Sequence, residues 1–546
     1  GDWTVTSSSN TPTAFLSTAS VSTVIFDGTG AQTISKTAGT ALTANFYHFQ
    51  NSNTGGTVTV ATAPSVTTIT LAGNFTNDLG ATFECAGANT INVAGNWINS
   101  GTFTRGTSTV NINNAAGTVN LSGNMTGTSA FYNLTVSGAG TRDFGANSVD
   151  VINTLTQTLG NITAPSTTLN IGLNYVHTAG TFTHNSGTVV MNGTAAQALS
   201  NTSATTFNNL TISNTSATVT AGANITVDGM LTVDNGANLN MSTRLLTAGG
   251  SFSVANSGTI QTQNVANPPV PTGYTWGGTV TYNGAGMFVS SGTYNNLLIT
   301  GTTGTRTTTG TITVNGSMSV TTTTGVTTLG GALDLNGNFT LTGTTANSVF
   351  NPAGNNINIA GDWNVSSTSA TTMVNVTTPF LTVFDGAGAQ AINRLSGTAV
   401  ANFYNFQNSN TAGTVTVATS PSVTTTTFAG DFTNDASATF ATAGANTINV
   451  GGNWTNSALG TFVCGGATAI NVSGNWTNNG TFTRGTSTVA FNSAATGKTL
   501  TGNMTGISAF NNIQFNNVAG GWDFGANAAD VIGNFSVTAT AGAGVK

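Results

Sequence analysis

Acidic side chains are the first residues in this chain that could do chemistry, because paired carboxylates serve as acid, base or nucleophile in polysaccharide cleavage. The close pairs are Asp143/Asp150, Asp228/Asp234, Asp431/Asp435 and Asp78/Glu84. The first pair returns as Asp523/Asp530 in the same Phe-Gly-Ala-Asn setting, and Arg142 beside it becomes Trp522. A carboxylate that returns with a repeat is typical of a turn, so the sequence predicts no enzyme.

Histidine gives little basis for a metal site. His177 and His184 lie seven positions apart (184 − 177), and His184 stands where Arg105 and Arg484 stand in related phrases, which predicts an exposed turn. No Cys accompanies them with the spacing of metal ligands. Calcium-binding repeats and phosphate-binding loops are also missing from the sequence. The sequence therefore predicts no metal and no cofactor.

The two cysteines, Cys85 and Cys464, end the equivalent phrases Thr-Phe-Glu-Cys and Thr-Phe-Val-Cys, 464 − 85 = 379 positions apart. Positions so distant along a stack cannot meet within one molecule. The sequence predicts buried small apolar side chains, with a bond between neighbouring subunits as the alternative. Phrases such as Asn74-Phe75-Thr76 match the acceptor pattern for glycans, but a chain this rich in Asn and Thr contains them by chance.

A short phrase recurs along the chain and consists of Gly, then Asn or Asp, then a large apolar residue. This repeat determines the strands and turns that must position the side chains discussed above. Several steps between copies are 22 residues, as from Gly73 to Gly95 and from Gly430 to Gly452. Units of this size cannot bury their own apolar side and stack on copies of themselves. We expect the Gly to allow a corner with positive φ. We expect the other two residues to form a stacking ladder, whose members are Asn74, Phe75, Asn96, Trp97, Asn124, Met125, Asp431, Phe432, Asn453, Trp454, Asn475, Trp476, Asn503 and Met504.

Composition favours strands and turns over helices. Only 4% of residues are charged, against roughly 25% in an average soluble protein, and the abundant Thr, Val, Ile, Phe, Gly and Asn favour strands and turns. A hydrophobic fraction of 38% argues against disorder. Segments such as Thr57-Val58-Thr59-Val60 alternate with the period of a half-buried strand. The sequence predicts an all-β, right-handed parallel β-helix, or β-solenoid, with about 22 residues per coil in an elongated rod.

A longer repeat matches residues 1–166 to 361–546, with 167–360 as intervening coils, and predicts one continuous solenoid over 1–546. Asn45–Thr54 returns as Asn402–Thr411 at an offset of 402 − 45 = 357, whereas Gly101–Val110 returns as Gly480–Val489 at an offset of 480 − 101 = 379. The difference, 379 − 357 = 22, is one whole coil gained by the second copy. Stacked coils tolerate such an insertion because the register on both sides is kept.

Charge and hydropathy exclude some partners. A net charge of -6 gives no basic surface that would bind nucleic acid. The sequence contains no run of 18 apolar residues, so it predicts no membrane span. The chain opens inside a repeat at Gly1-Asp2-Trp3 and stops at Val545-Lys546. We expect neither end to be a finished cap.

The phrases Gly-Asn-Trp-Thr-Asn-x-Gly-Thr-Phe-Thr at 474–483 and Thr-Phe-Asn-Asn-Leu-Thr-Ile at 206–212 carry a resemblance. They resemble the Thr/Asn/Gly-rich tandem repeats of very large secreted bacterial proteins, adhesin-like or autotransporter-like, which are frequent among Bacteroidota. The resemblance covers essentially the whole chain. It implies a β-solenoid, secretion, and an extracellular or cell-surface location.

These features predict a structural segment of an extracellular fibre that assembles by stacking of solenoid ends, because such ends expose unpaired N–H and C=O groups. The expected partner is the chain itself, head to tail or side by side, and after it surface glycans. One alternative is an adhesin stalk that binds glycans or surfaces through exposed Asn, Thr and aromatic residues. Another is an ice-binding solenoid with a flat array of outward threonines, for which the candidates are Thr57, Thr59, Thr67, Thr68 and Thr70.

Overall fold

The structure, a computed structural model, describes residues 1–5, 21–36, 42–62, 66–345, 348–367, 373–397, 400–418 and 424–538. Contacts divide the chain into two units, Gly1–Thr262 and Gln263–Lys546. Each unit is a stack of short strands that pair in parallel with strands of the next coil. The predicted parallel β-solenoid is confirmed.

Alternating side chains explain why these segments form strands. In Thr57–Val60, Val58 and Val60 are buried while Thr57 and Thr59 are half-exposed. Three such strands, joined by turns rich in Gly and Asn, make one coil, and the next coil lies ~4.8 Å further along the stack. Trp97 pairs with Phe75, a step of 97 − 75 = 22 residues. Other coils are shorter or longer because their turns differ in length.

Unit 1 has three faces, and the strands of each face follow one another in stacking order. The first consists of Trp3–Val5, Gln32–Lys36, Thr57–Val60, Thr82–Cys85, Thr102–Thr104, the 3-10 turn Gly127–Ser129, Val149–Val151, Thr168–Ile171, Thr188–Met191, Asn209–Ile212, Met230–Val233 and Ser253–Asn256. The second consists of Thr23–Phe26, His48–Asn51, Phe75–Asn77, Trp97–Asn99, Thr118–Gly123, Thr141–Asp143, Asn161–Thr163, Phe182–Thr183, Thr205–Phe207, Ile225–Val227 and Leu246–Ala248. The third consists of Leu42–Phe46, Val66–Leu71, Thr90–Val93, Thr109–Ile112, Asn133–Val136, Leu155–Gln157, Tyr175–His177, Gln197–Leu199, Thr218–Ala221, Asn238–Asn240 and Thr259–Thr262.

Unit 2 is built in the same way, except that the long strands Gly292–Thr308 and Met318–Thr328 continue from the first face into the third, where they pair with Phe288–Val289 and Val349–Asn351. Its first face consists of Thr275–Tyr282, Gly292–Thr308, Met318–Thr328, Phe339–Gly343, Trp363–Ser367, Gln390–Gly397, Thr414–Val417, Thr439–Thr442, Thr461–Cys464, Thr481–Thr483 and the 3-10 turn Gly506–Ser508. The second consists of Ile312–Val314, Leu333–Leu335, Ile357–Ile359, Leu381–Phe384, Asn405–Asn408, Phe432–Asn434, Trp454–Asn456, Trp476–Asn478, Lys498–Gly502 and Trp522–Asp523. The third consists of Phe288–Val289, Val349–Asn351, Ala401–Phe403, Thr425–Phe428, Thr447–Val450, Ala469–Val472, Thr488–Phe491, Asn512–Phe515 and Phe535–Val537.

The interior of each unit is filled by the inward apolar side chains of all three faces. The largest of them are tryptophans with no exposed surface, namely Trp97, Trp276, Trp363, Trp454 and Trp476. Because a coil of about 22 residues is too thin to enclose such side chains, the coils before and after it complete their burial. No helix in the described ranges is long and apolar enough to cross a lipid bilayer.

Candidate functional site: the coil-stacking columns

An aromatic column runs through the second face of unit 2. The rings of Phe406 and Phe432 stack with centroids 5.6 Å apart, Phe432 and Trp454 with centroids 6.0 Å apart, and Trp454 and Trp476 with centroids 3.7 Å apart. The planes of the two indoles are within 5° of parallel. Phe510 continues the column at 5.4 Å but is tilted by 53°. These contacts add aromatic stacking to the burial of each ring.

Unit 1 carries a shorter version of the same column. Phe49 and Phe75 stack at 5.5 Å, Phe75 and Trp97 at 4.1 Å, and Phe131 follows Trp97 at 5.4 Å in a tilted arrangement. Phenylalanines of the first face pack edge-on against the column, as Phe83 does against Phe75 at 5.2 Å. The structure therefore brings Phe75 and Trp97 into one column, and Phe432, Trp454 and Trp476 into another.

The Asn or Asp of the repeated phrase connects one coil to the next. Asn74 Oδ1 accepts a hydrogen bond from the backbone N–H of Asn96 at 2.9 Å, and Asn96 Oδ1 accepts one from Asn120 at 2.8 Å. Each such bond satisfies a backbone N–H of the next coil. Unit 2 continues the pattern with Asp431 Oδ1 to Asn453 N–H at 2.7 Å, Asn453 Oδ1 to Asn475 N–H at 3.0 Å, and Asn475 Oδ1 to Thr499 N–H at 3.0 Å.

The Gly of the phrase is required for close approach between coils. A Cβ added to Gly95 would lie 2.5 Å from the carbonyl carbon of Gly73, and one added to Gly474 would lie 2.3 Å from the carbonyl oxygen of Gly452. The expectation of positive φ is wrong for Gly95 and Gly474, whose φ angles are ordinary. Glycine is needed at these corners because two backbones touch there.

Met125 and Met504 lie outside the aromatic columns. The residue in register with Trp97 is Leu121, and the residue in register with Trp476 is Leu500. Gly123, the first residue of the Gly123-Asn124-Met125 phrase, has a φ of 91° and ends the strand, so the expectation of positive φ is correct there. The neighbouring Asn124 and Asn503 donate from Nδ2 to the carbonyls of Gly101 at 3.1 Å and Gly480 at 3.2 Å.

A second ladder of asparagines lies inside the fold and is missing from the set predicted from sequence. Asn77 donates from Nδ2 to Asn99 Oδ1 at 2.7 Å and to the carbonyl of Thr102 at 3.0 Å. A buried amide is tolerated only when its hydrogen bonds are made. The signal that could have identified this ladder is an aromatic residue followed two positions later by Asn. The ladder members, all fully buried, are Asn51, Asn77 and Asn99 in unit 1 and Asn408, Asn434, Asn456 and Asn478 in unit 2.

The carboxylates that could have served an enzyme accept hydrogen bonds from their own neighbourhood. Asp150 accepts from the N–H of Gly127 at 2.9 Å and from Asn170 Nδ2 at 2.8 Å, and Asp530 accepts from Gly506 at 3.1 Å. Asp143 and Asp523 accept from the N–H two residues on. Side chains of Gln50 and Ser52 donate to Asp78, and those of Gln407 and Ser409 donate to Asp435. These bonds hold turns in place.

The two histidines differ in their surroundings. His177 is buried, with Nε2 at 3.1 Å from the carbonyl of Gly180 and Nδ1 at 2.9 Å from Thr205 Oγ1. Because a carbonyl only accepts, Nε2 carries the proton, and burial lowers the pKa of the ring. His184 Nε2 lies 3.3 Å from Asp228 Oδ2, and both side chains are partly exposed. The described residues contain no group of three or more His, Cys, Asp or Glu side chains that could hold a metal ion.

Both cysteines are free and buried. Burial raises the pKa of the Cys85 thiol and of the Cys464 thiol to about 12 in each case. A thiol held neutral by burial is a weak nucleophile. This environment favours the predicted role of both cysteines as small apolar side chains.

Two arginines are fully buried among backbone carbonyls. Arg142 donates from Nη1 to Gly138 at 2.7 Å and from Nη2 to Ile112 at 2.8 Å, and burial lowers its pKa to about 10. Arg306 donates in a similar way to the carbonyls of Gly284 and Thr303. In the second long repeat Trp522 replaces Arg142 and packs against Phe515 at 5.5 Å. The buried guanidinium of Arg142 therefore satisfies backbone carbonyls at one corner of unit 1, and the two long repeats do not share this feature.

The last described coil of unit 2 exposes apolar side chains whose counterparts unit 1 buries. Phe535 is 59% exposed, whereas Leu155, its counterpart 535 − 155 = 380 positions earlier, is 1% exposed. In unit 1 the strand Tyr175–His177 covers Leu155 and pairs with it in register. No described strand lies beyond Phe535–Val537 in unit 2, whereas Tyr175–His177 lies beyond Leu155 in unit 1. Residues 539–546 lie outside the described ranges, so the expectation about a cap at Val545-Lys546 stays a prediction.

The fold and the columns define a class, the parallel β-solenoid of tandem coils. Comparisons with protein-family models, with curated proteins and with solved structures found no match to this chain.

Proposed function

We propose that this chain is a structural segment of an extracellular bacterial fibre in which β-coils stack on one another. The observation that carries the proposal is that the coils complete each other's burial: Trp454 and Trp476 pair in register, have no exposed surface, and stack with centroids 3.7 Å apart. Parallel strands can pair along both edges, so coils of another copy of the chain can extend such a stack.

The interior columns support a mechanical role. Aromatic rings, buried amides and corner hydrogen bonds each connect a coil to the next, as Trp454 to Trp476, Asn456 to Asn478 and Asn453 to Asn475 show. Along these columns, a force along the stack would have to break all three kinds of contact between one coil and the next. The extracellular location rests on the resemblance to secreted tandem-repeat proteins. The proposal assigns the chain no catalytic role and no cofactor.

Electron microscopy of the purified chain over a range of concentrations tests this proposal. We expect filaments that lengthen as the protein concentration rises, because stacking of coils from separate copies buries apolar surface. Protein that stays monomeric at every concentration would contradict it.

A second candidate is the binding of an ordered surface through outward threonines. On the third face of unit 1, Thr43, Thr68, Thr90 and Thr109 follow one another in register, and all are half-exposed. The neighbouring column holds Asn45, Thr70, Asn92 and Asn111, whose amides bond along the column, as Asn111 Nδ2 does to Asn92 Oδ1 at 2.9 Å. This uncharged face favours ice over glycans, since Phe535 is the one exposed aromatic residue among those described.

Thermal hysteresis measurements test the ice-binding candidate. We expect measurable hysteresis from the wild type and its loss in Thr90→Lys, which places a charge in the middle of the threonine column. The control is Thr455→Lys, a half-exposed threonine on the second face of unit 2. Equal hysteresis in both variants, or none in the wild type, would remove this candidate.

A further inference from the structure

The third face of unit 1 is a continuous parallel sheet whose strands carry no charge. They follow one another from Leu42–Phe46 to Thr259–Thr262, and none of these described strands contains Asp, Glu, Lys or Arg. The other two faces carry half-exposed carboxylates in their strands, namely Glu84 and Asp150 on the first face and Asp143 on the second. The third face can therefore approach a copy of itself without repulsion between like charges.

The polar side chains of this face are bonded to one another along the stack. Asn111 Nδ2 donates to Asn92 Oδ1 at 2.9 Å, and Ser137 Oγ donates to Asn111 Oδ1 at 2.8 Å. In the neighbouring column Asn153 Nδ2 donates to Asn133 Oδ1 at 2.8 Å. Side chains that are already fixed lose little conformational entropy when a partner covers them. These bonds therefore favour a flat, close-packed partner over a ligand that many new hydrogen bonds must hold.

Two outward columns run along the face, and most layers between Leu42 and Val136 place a hydroxyl in one column and an amide in the other. The pairs, all half-exposed, are Thr43 with Asn45, Thr90 with Asn92, Thr109 with Asn111 and, in the reverse order, Asn133 with Thr135. A two-fold axis parallel to the stack and midway between the columns places each column opposite the other column of a second copy. In these layers every hydroxyl then faces an amide of the same layer.

The size of the face suits a specific contact. With strands ~4.8 Å apart and ~3.3 Å per residue, the sheet from Leu42–Phe46 to Thr259–Thr262 is about 50 Å long and about 13 Å wide. It offers roughly 650 Å² on each copy, and the total of about 1,300 Å² lies within the range of about 1,200–2,000 Å² that specific protein interfaces bury. A second copy of the chain can therefore cover the face with enough area for a stable pair.

We propose that the third face of unit 1 binds the third face of a second copy side by side, about a two-fold axis parallel to the stack. Both stacks then run in the same direction, which suits a fibre that grows along the stack. Because the contact covers Thr90, it competes with the ice-binding candidate for the same face. The inference rests on the proposed fibre function and adds a lateral contact and its register.

Sedimentation velocity of the wild type and of charge variants tests the contact. We expect the wild type to form pairs at concentrations below those that give filaments. Asn92→Lys brings an ammonium group against Thr90 of the second copy in an uncharged interface, so we expect pairing at least about tenfold weaker. Thr76→Lys is the matched control, because Thr76 is half-exposed on the second face, outside the proposed contact. Equal pairing of the two variants would overturn the assignment of the face.

A mixture of two variants tests the register. Thr90→Asp alone should also weaken pairing, whereas its equimolar mixture with Asn92→Lys should pair at least about tenfold more tightly than either variant alone, because opposite charges then meet across the axis. Thr43→Asp is the control partner for Asn92→Lys, since Thr43 lies two layers before Thr90 and should restore less pairing. Equal or better restoration by Thr43→Asp would overturn the register. Circular dichroism of each variant checks its fold.

Electron microscopy separates this inference from the fibre function. Filaments one stack wide, from a wild type that does not pair in sedimentation, would overturn the lateral contact and leave the fibre function intact. Pairs that never lengthen into filaments would contradict the fibre function and support the contact. Thermal hysteresis from a monomeric wild type would assign the face to ice and overturn the inference. A wild type that forms neither pairs nor filaments would contradict both.

Discussion

The two long repeats of this chain build the same columns with different numbers of layers. In the first long repeat, which lies in unit 1, the column contains Phe49, Phe75 and Trp97. In the second long repeat, which lies in unit 2, it contains Phe406, Phe432, Trp454 and Trp476. The inner asparagine ladder is lengthened in step, from Asn51–Asn77–Asn99 to Asn408–Asn434–Asn456–Asn478.

The contacts on both sides of the inserted coil are unchanged. Gln50 and Ser52 donate to Asp78 as Gln407 and Ser409 donate to Asp435. Beyond the insertion, Arg105 and Arg484 donate to equivalent carbonyls of the 3-10 turns. The comparison indicates that the coil is the unit of construction and that its energetics are local.

Removal of a column ring is expected to have the largest effect. Trp476→Ala empties the space between Trp454 and Phe510 and should lower the free energy of unfolding by about 3–5 kcal/mol. Trp97→Ala in the shorter column should cost a similar amount if the coils act locally. Urea unfolding followed by circular dichroism measures both, with the half-exposed Thr477→Ala as control. A loss confined to one copy would break the equivalence of the two repeats.

Trp454→Phe sharpens the same comparison. The indole N–H groups of Trp97, Trp454 and Trp476 have no hydrogen-bond acceptor among the described residues. Unit 1 carries Phe75 one layer before its last tryptophan, so the column accepts either ring. Trp454→Phe should therefore cost less than about 1.5 kcal/mol. A loss as large as that of Trp476→Ala would show that the indole itself is needed.

The inner ladder comes next in expected effect. Asn456→Leu removes the donor to Asn478 Oδ1 and the acceptor of Asn434 Nδ2, both fully buried. Each orphaned buried group costs ~1–3 kcal/mol, so we expect a loss of about 2–4 kcal/mol in urea unfolding. Asn453→Ala in the exposed outer ladder is the matched control and should cost roughly 1 kcal/mol or less. Equal losses would contradict the distinction between buried and exposed ladders.

Substitution of a corner glycine should lower the free energy of unfolding by less than loss of a buried asparagine. Gly474→Ala brings a Cβ to 2.3 Å from the carbonyl oxygen of Gly452 and should cost about 1–3 kcal/mol through displacement of the backbone. Gly466→Ala is the control, because its nearest contact, the carbonyl carbon of Gly444, is 3.5 Å away. Its effect should stay within about 1 kcal/mol. If Gly466→Ala were the more damaging of the two, backbone freedom rather than space would explain the repeated glycine.

The smallest expected effect is a dependence of unit 1 on pH. Burial lowers the pKa of His177 below its ordinary value of 6.5, so the unfolded chain binds more protons than the folded chain in this range. The contribution of His177 is present above about pH 6.5 and is lost as the pH falls from there to the folded pKa. His177→Gln should flatten this part of the stability curve, measured by urea unfolding from pH 7.5 to 5. An identical curve in the variant would exclude His177 as its source.

The sequence was sufficient for the fold and for part of the columns. A step of 22 residues between Phe75 and Trp97, with apolar alternation between them, predicts the layer that the structure contains. The prediction was wrong for Met125 and Met504, which carry the same phrase but do not lie in the columns. In unit 1 the residue in register with Trp97 is Leu121, from the strand Thr118–Gly123 that precedes Met125. The register of a strand depends on turn lengths, which a three-residue phrase does not encode.

The buried polar groups could not be predicted for a different reason. Asn77 and Asn456 read as turn residues, since Asn is common in turns, but each lies at the end of a three-residue strand where the next layer provides the matching amide. No sequence pattern predicts the burial of Arg142, because its carbonyl partners on Gly138, Gly140 and Ile112 come from two different coils. Such partners become visible only when the layers are in place.

The central claim is that one coil is an independent layer, and deletion of residues 452–473 tests it most directly. This variant removes one full coil, so that Phe432 meets Trp476 as Phe75 meets Trp97 in unit 1. We expect cooperative urea unfolding with an unchanged circular dichroism spectrum per residue, whereas deletion of 452–462, half a coil, should abolish folding of the stack. Equal behaviour of the two deletions, folded or unfolded, would contradict the account.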